Sequence, residues 1–304
     1  MKRVFYAVAL IICLLGLGFI ALRDISNDND SVVDSNTTSA VMSEKGDIAV
    51  EDESTSTSQT DNVAQDRKMY IAIIIDDIGI NKSTFENIIK LPNSVTLGFS
   101  PYPDDVTELI ARAVDLGFEA IIKIPMQTKS YPMEDLGPYT LLDDLSDYEN
   151  DSRVQIVFSR SDDIVGVYTN PGEIITDYID NVRHILKSFA ILLDASKNPL
   201  VFLYSDEYDK KPITRAAAEL NIMENICLID IALDNGGSSE DILEKIADLE
   251  MIAKSRGVAV GIIRPYQANI EILQKWMETL KEKQIEIKPL TLFMKERSKI
   301  ASGN

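Results

Sequence analysis

Two adjacent aspartates, Asp76 and Asp77, end the apolar run Ile71–Ile75 in the stretch IAIIIDDIGI. Aspartate is a common turn former, so the plain reading is a pair that terminates a strand and caps the next loop. The chemical reading is a site, in which Asp77 joins Asp206, Glu207 and Asp234 as oxygen ligands of Ca2+, Mg2+ or Mn2+. Acidic residues are abundant throughout the chain, and spacing alone does not demand that metal. Lys123, Tyr168, Asn170, Asp206, Asp234 and Arg264 stand at or after the ends of apolar runs in the same way and are candidate substrate-binding residues.

Positioning such residues together requires a framework, and the texture after Met69 supplies one. Apolar runs at 71–76, 95–99, 119–124, 164–168, 199–204, 226–231, 258–263 and 285–290 predict strands. Between most of them lie helical patterns such as VTELIARAVDLG and SEDILEKIADLEMIAKSRG, apolar at spacings of three and four. Strand and helix in alternation imply parallel strands with crossover helices. Seven or eight such units point to a (β/α) barrel, with an open doubly wound sheet as the alternative. In a parallel barrel the loops after the strands converge on one mouth, which brings the polar run ends into one place.

The stretches IAIIIDDIGI, LPNSVTLGFSPY, IIKIPMQ, GPYTLL, IVGVYTN, DIALDN and GVAVGIIRP resemble, in order and spacing, the divergent polysaccharide deacetylases. The resemblance runs from residue 69 to about residue 295. It implies a deformed (β/α) barrel in an envelope or secreted setting. It also implies Asp76 as general base and Asp77 as ligand of a divalent metal held with two histidines, the metal polarising an acetamide carbonyl and generating hydroxide.

The departures concern those histidines. Lys123 in KIPM stands where the family shows HLPM, Asn170 in YTNPGE where it shows NNHMGS, and Arg264 in IRP where it shows GHP. YSDE at 204–207 replaces DSRT, while Asp234 is kept. The whole chain contains one histidine, His184, off the apolar face of its helical pattern and expected in solvent. No site needing two histidines can be built, so no metal cofactor is expected. Lys123 and Arg264 read as cations that neutralise the aspartates in the ion's place, or else as solvated rim residues. Asn170 has a structural reading too, as N-cap with Pro171 at the first helical position and Glu173 at the third.

Seven tyrosines, Tyr102, Tyr131, Tyr139, Tyr168, Tyr204, Tyr208 and Tyr266, fall at or after strand ends, where rings could stack on sugars. GGSSE at 236–240 reads as a loop and N-cap rather than a phosphate loop, and 267–283 with Trp276 as an amphipathic helix.

The 304 residues carry a net charge of -19, which argues against a nucleic-acid partner. Val4–Leu22 holds no charge and follows Lys2 and Arg3, so residues 1–23 predict a membrane anchor with the rest outside, or a cleaved signal peptide. Residues 24–68, rich in Ser, Thr, Asp and Asn, are expected to form a disordered acidic linker before a barrel over 69–298 and a tail over 299–304. Cys13 and Cys227 are expected to be buried and unpaired.

The sequence therefore predicts an envelope-facing barrel that engages glycan without the histidine–metal machinery. Its alternatives are a carbohydrate hydrolase working through Asp76 or Asp77 with a rebuilt carboxylate metal site, and a scaffold for a protein partner.

Overall fold

The computed structural model describes residues 68–169, 179–196, 200–205, 211–234 and 237–303. The expected anchor and linker, and the residues Cys13, Asn170, Asp206, Glu207 and Tyr208, lie outside the described residues. Among the described residues no helix is long and apolar enough to cross a membrane.

The elements follow in the order β1 (Met69–Ile78), α1 (Lys82–Ile88), β2 (Thr96–Phe99), α2 (Val106–Asp115), β3 (Glu119–Lys123), α3 (Asp147–Phe158), β4 (Gly166–Tyr168), α4 (Ile179–Ala195) and β5 (Val201–Ser205). They continue with α5 (Lys211–Glu219), β6 (Ile226–Ile229), β7 (Ile231–Ala232), α6 (Ser239–Arg256), β8 (Val258–Ile263), α7 (Gln267–Thr279), β9 (Ile285–Ile287) and α8 (Leu290–Ala301). Their ends carry the residues that stop or start helices. Ser146 and Ser238 each close a capping box, with Glu149 and Asp241, and Gly257 ends α6 at φ +84°.

Every ladder is parallel, and the strands run β6-β5-β4-β3-β2-β1-β8-β7. The first and last of these are consecutive in the chain, so the sheet curls into a nearly closed barrel of eight strands rather than an open sheet. The run 226–231 breaks at Asp230 because its two halves serve different neighbours, β5 and β8. Asp230 spans the break. Its amide donates to the Val260 carbonyl at 2.9 Å, its carboxylate accepts from the Val260 amide at 2.8 Å, and Arg256 sits 2.5 Å away. Asp230 belongs to the barrel wall. The last expected strand shortens to β9, which pairs with the start of β1.

Burial on both faces explains the continuous apolar runs. The outer residues Ile71, Ile73, Ile75, Ile122, Val167 and Phe202 pack under the helices. The inner residues Ala72, Ile74, Ile121, Leu203, Ile229 and Ile262 fill the barrel together with Leu290 and Phe293 of α8. That last helix closes the barrel at the end where the strands begin. Its first amides are taken by Thr96 Oγ1 and Glu119 Oε2, at 3.0 and 2.8 Å from Leu290 N and Thr291 N. Cys227 lines the same interior, where burial pushes its thiol up to about 12, leaving it a packing residue.

Candidate functional site

Alternation along a strand sends Ala72, Ile74 and Asp76 inward from β1, Ile121 and Lys123 from β3, and Gly166 and Tyr168 from β4. Register places these residues side by side, since Lys123 stands opposite Tyr168. The same alternation would send Asp77 outward. It does not, because the β1–β2 ladder shifts between Ile75 and Ile78, and Asp77 adopts φ +52°. This bulge spends two residues against one and turns both carboxylates toward the interior. The left-handed backbone is unusual for a residue with a Cβ, though aspartate tolerates it better than most.

The inward-facing residues at the C-terminal ends of β1, β3 and β4 thereby form one cluster. The Lys123 ammonium lies 3.0 Å from Asp76 Oδ1 and 2.5 Å from Asp77 Oδ1. The Tyr168 hydroxyl donates to Asp76 Oδ1 at 2.5 Å, and the Asp77 amide donates to the same oxygen at 2.7 Å. The ammonium also stands 5.5 Å over the Tyr168 ring centre. Gly98 makes room for that ring, because a Cβ there would meet the Tyr168 hydroxyl at 2.9 Å.

Burial governs the electrostatics. It pushes the Asp76 carboxyl above its ordinary range, with Asp77 adding to the push and Lys123 and Tyr168 pulling back. Burial alone would lower the Lys123 ammonium, but the two carboxylates outweigh it and hold the group above its ordinary value. Burial first, and Asp76 second, raise the Tyr168 phenol well beyond 10, so it stays a proton donor. Of the four, Asp77 keeps the most exposed side chain, 27 % against 7 % for Lys123.

Arg264 takes a different partner from the one expected. Its Nε donates to Asp234 Oδ2 at 2.8 Å, and Asn269 from α7 reaches the same oxygen at 3.3 Å. The bond to Asp234, ahead of the pull of other carboxylates, raises the Arg264 guanidinium further. The neutralising pair therefore divides, Lys123 serving Asp76 and Asp77 while Arg264 serves Asp234. Asn269 is a member of this arrangement that the sequence did not single out; its only signal is its place four residues into the segment after GIIRP.

The tyrosines also sort differently. Tyr168 is fully buried, and Tyr204 faces the outer core. Tyr102 and Tyr139 stack on each other at 5.3 Å, with Arg160 over the second ring. Tyr131 is half-buried, and Tyr266 is exposed, lying over the Arg264 guanidinium. Among the described tyrosines at the mouth, Tyr266 is the one with a ring largely open to a ligand.

His184 is not a solvated residue. It sits half-buried between α4 and α3, its Nε2 2.9 Å from Asp151 Oδ1 and its Nδ1 3.5 Å from Asp147 Oδ2. Asp151 raises the ring above its ordinary value near 6.5. The stabilisation is therefore complete below about pH 6.5 and fades as pH rises through the raised folded value. Thermal melts should show His184→Gln furthest below wild type near pH 5.5, with the gap closing near pH 9; a gap that widens with pH would contradict the pairing.

A model of the family described as divergent polysaccharide deacetylase matches residues 73–294, most of the chain. The chain belongs to that family.

Relatives of this deacetylase-like barrel include YibQ of Escherichia coli (strain K12), itself uncharacterized, 21 % identical over 210 residues. The match covers 69 % of this chain and 63 % of YibQ, so the chain spans less than two thirds of that relative's length. Among solved structures, the uncharacterized protein ATU2773 of Agrobacterium tumefaciens C58 superposes with a TM-score of 0.67 at 24 % identity, over 75 % of this chain and 90 % of that one. This likeness establishes a shared fold.

Among the described residues, the divalent ion implied by the family finds no fitting set of ligands. The ammonium of Lys123 lies against the very Asp77 oxygen that faces the interior, and the single histidine of the sequence is committed to Asp151. Among the described residues, no group of three or more His, Cys, Asp or Glu side chains could hold a metal ion.

Proposed function

We propose that this member of the divergent polysaccharide deacetylases engages glycan of the cell envelope as a binding protein, without metal-activated hydrolysis. The observation that carries the reading is the Lys123 ammonium at 2.5 and 3.0 Å from the two aspartates that would otherwise serve as ligand and base. A base clamped by an ammonium and a phenol has its lone pairs engaged, and a carboxylate paired with lysine offers little to a second cation. What remains available at the mouth is recognition chemistry. Asp77 accepts hydroxyl donors through its partly exposed carboxylate, and Tyr266 offers a ring face backed by Arg264. The uncharged segment 4–22, read as an anchor, puts the barrel outside the cytoplasmic membrane in this proposal.

The test is co-sedimentation of the full chain with insoluble peptidoglycan and chitin, alongside acetate release from N-acetylated oligosaccharides with and without added Zn2+ or Mn2+. Retention without acetate release is the expected result. Tyr266→Ala should weaken retention about fivefold, in line with an aromatic contribution of roughly 1 kcal/mol. Acetate release that requires added metal and Asp77 would replace this reading with a hydrolase. Absence of retention on every glycan would favour the scaffold reading.

A further inference from the structure

We infer that the interior of the barrel at the C-terminal ends of its strands is a preformed receptor for a primary ammonium group, which Lys123 occupies from within. The cage has carboxylate oxygens on two sides, Asp76 and Asp77, and the Tyr168 ring face on a third, at 3.0, 2.5 and 5.5 Å from Nζ. Carboxylates paired with an aromatic face form the environment that stabilises an alkylammonium, through charge-assisted hydrogen bonds and attraction to the ring.

What makes it a receptor, rather than two salt bridges, is that the Asp76 and Tyr168 walls are held without the lysine and the Asp77 backbone is set by the bulge. Tyr168 OH and Asp77 N both donate to Asp76 Oδ1, at 2.5 and 2.7 Å, and those bonds involve no atom of Lys123. Tyr168 is seated against Gly98 and fully buried, so the ring keeps its place when the cation leaves. Asp77 is held at φ +52° within the bulge, which fixes where its Cβ leaves the backbone. Shortening Lys123 to alanine therefore removes a propylammonium from a cage that persists. The vacated space has the length of that fragment and a preference for N–H donors.

The inference stands on this geometry and not on the glycan reading. Its readout is stability, so a failure to bind glycan leaves it intact. Lys123→Ala is expected to melt several degrees below wild type, and propylammonium at about 100 mM should return roughly half of the loss by mass action. Tetramethylammonium at the same ionic strength has no N–H to donate and should return little. Lys123→Met, which fills the space with an apolar chain, should gain nothing from either salt. If the alanine variant does not fold alone, its yield on refolding should rise with propylammonium and not with tetramethylammonium. Equal recovery by both salts would reduce the effect to screening, and recovery by Mn2+ in preference to propylammonium would make the space a metal site; either result overturns the inference. So would recovery of the methionine variant, or an alanine variant indifferent to propylammonium.

Discussion

Phe293→Ala is expected to lower the free energy of unfolding by about 3–5 kcal/mol, the range for deleting a buried aromatic ring. Phe293 is 1 % exposed and lies among Ala72, Ile74, Val201 and Val260, so α8 contributes it to the barrel interior rather than to an outer layer. A barrel wall cannot collapse into the space left behind, because its strands are tied to both neighbours, and the cavity persists. Leu292, next to it on the same helix, is 45 % exposed and provides the control. Its change to alanine should stay within about 0.5 kcal/mol. Urea unfolding of the two variants measures the difference. A Phe293→Ala loss below about 1 kcal/mol would mean that the last helix does not seal the barrel.

Gly166→Ala is expected to cost about 3 kcal/mol, the upper end of the range for overpacking. Gly166 faces Val201 across the β4–β5 ladder, and a methyl group at that position would run into the Val201 carbonyl oxygen and backbone. Backbone atoms in a ladder cannot rotate aside as a side-chain tip can, so either the pairing opens or β4 shifts. A shift of β4 also carries Tyr168, two residues on, away from Asp76. The variant should therefore show a displaced tyrosine signal in near-ultraviolet circular dichroism as well as a lower urea midpoint. Unchanged stability together with an unchanged tyrosine signal would show that the two strands do not approach this closely.

These expectations differ in how far the sequence alone could have led to them. Each of the eight predicted apolar runs holds strand residues, one of them covering β6 and the start of β7, because burial on both faces of a parallel barrel leaves a plain signal in residue type. The clustering of Asp76, Lys123 and Tyr168 follows from their places at run ends once the strands pair as a barrel. The role of Phe293 does not, since an apolar residue in a terminal amphipathic helix could equally face an outer layer. Gly166 carries no local signal either; the requirement for glycine comes from a strand 35 residues further along the chain.

The neutralising cations show the boundary most clearly. Loss of the histidines is a matter of counting, and one histidine in 304 residues excludes a two-histidine site whatever the fold. The assignment of each cation to its carboxylate depends on distances between strands. Lys123 and Arg264 stand at equivalent strand ends, yet one reaches the aspartate pair and the other closes on Asp234. The tyrosines behave likewise, since loop position does not say which rings stack on each other and which stay open.

By itself, then, the sequence determined the alternation of strands and helices, the parallel α/β class and the absence of the histidines, because each is written in residue type or short-range period, while the choice of barrel over open sheet and the meeting of Lys123 with Asp76 waited on strand pairing. Only the tertiary structure decided that β6 and β7 break at Asp230, that Arg264 belongs to Asp234, and that Asp77 turns inward beside Asp76. Strict alternation predicts the opposite face for Asp77. The bulge that overrides it arises where β1 meets β2 out of step, and such a mismatch between two strands is a property of their pairing that neither strand encodes alone.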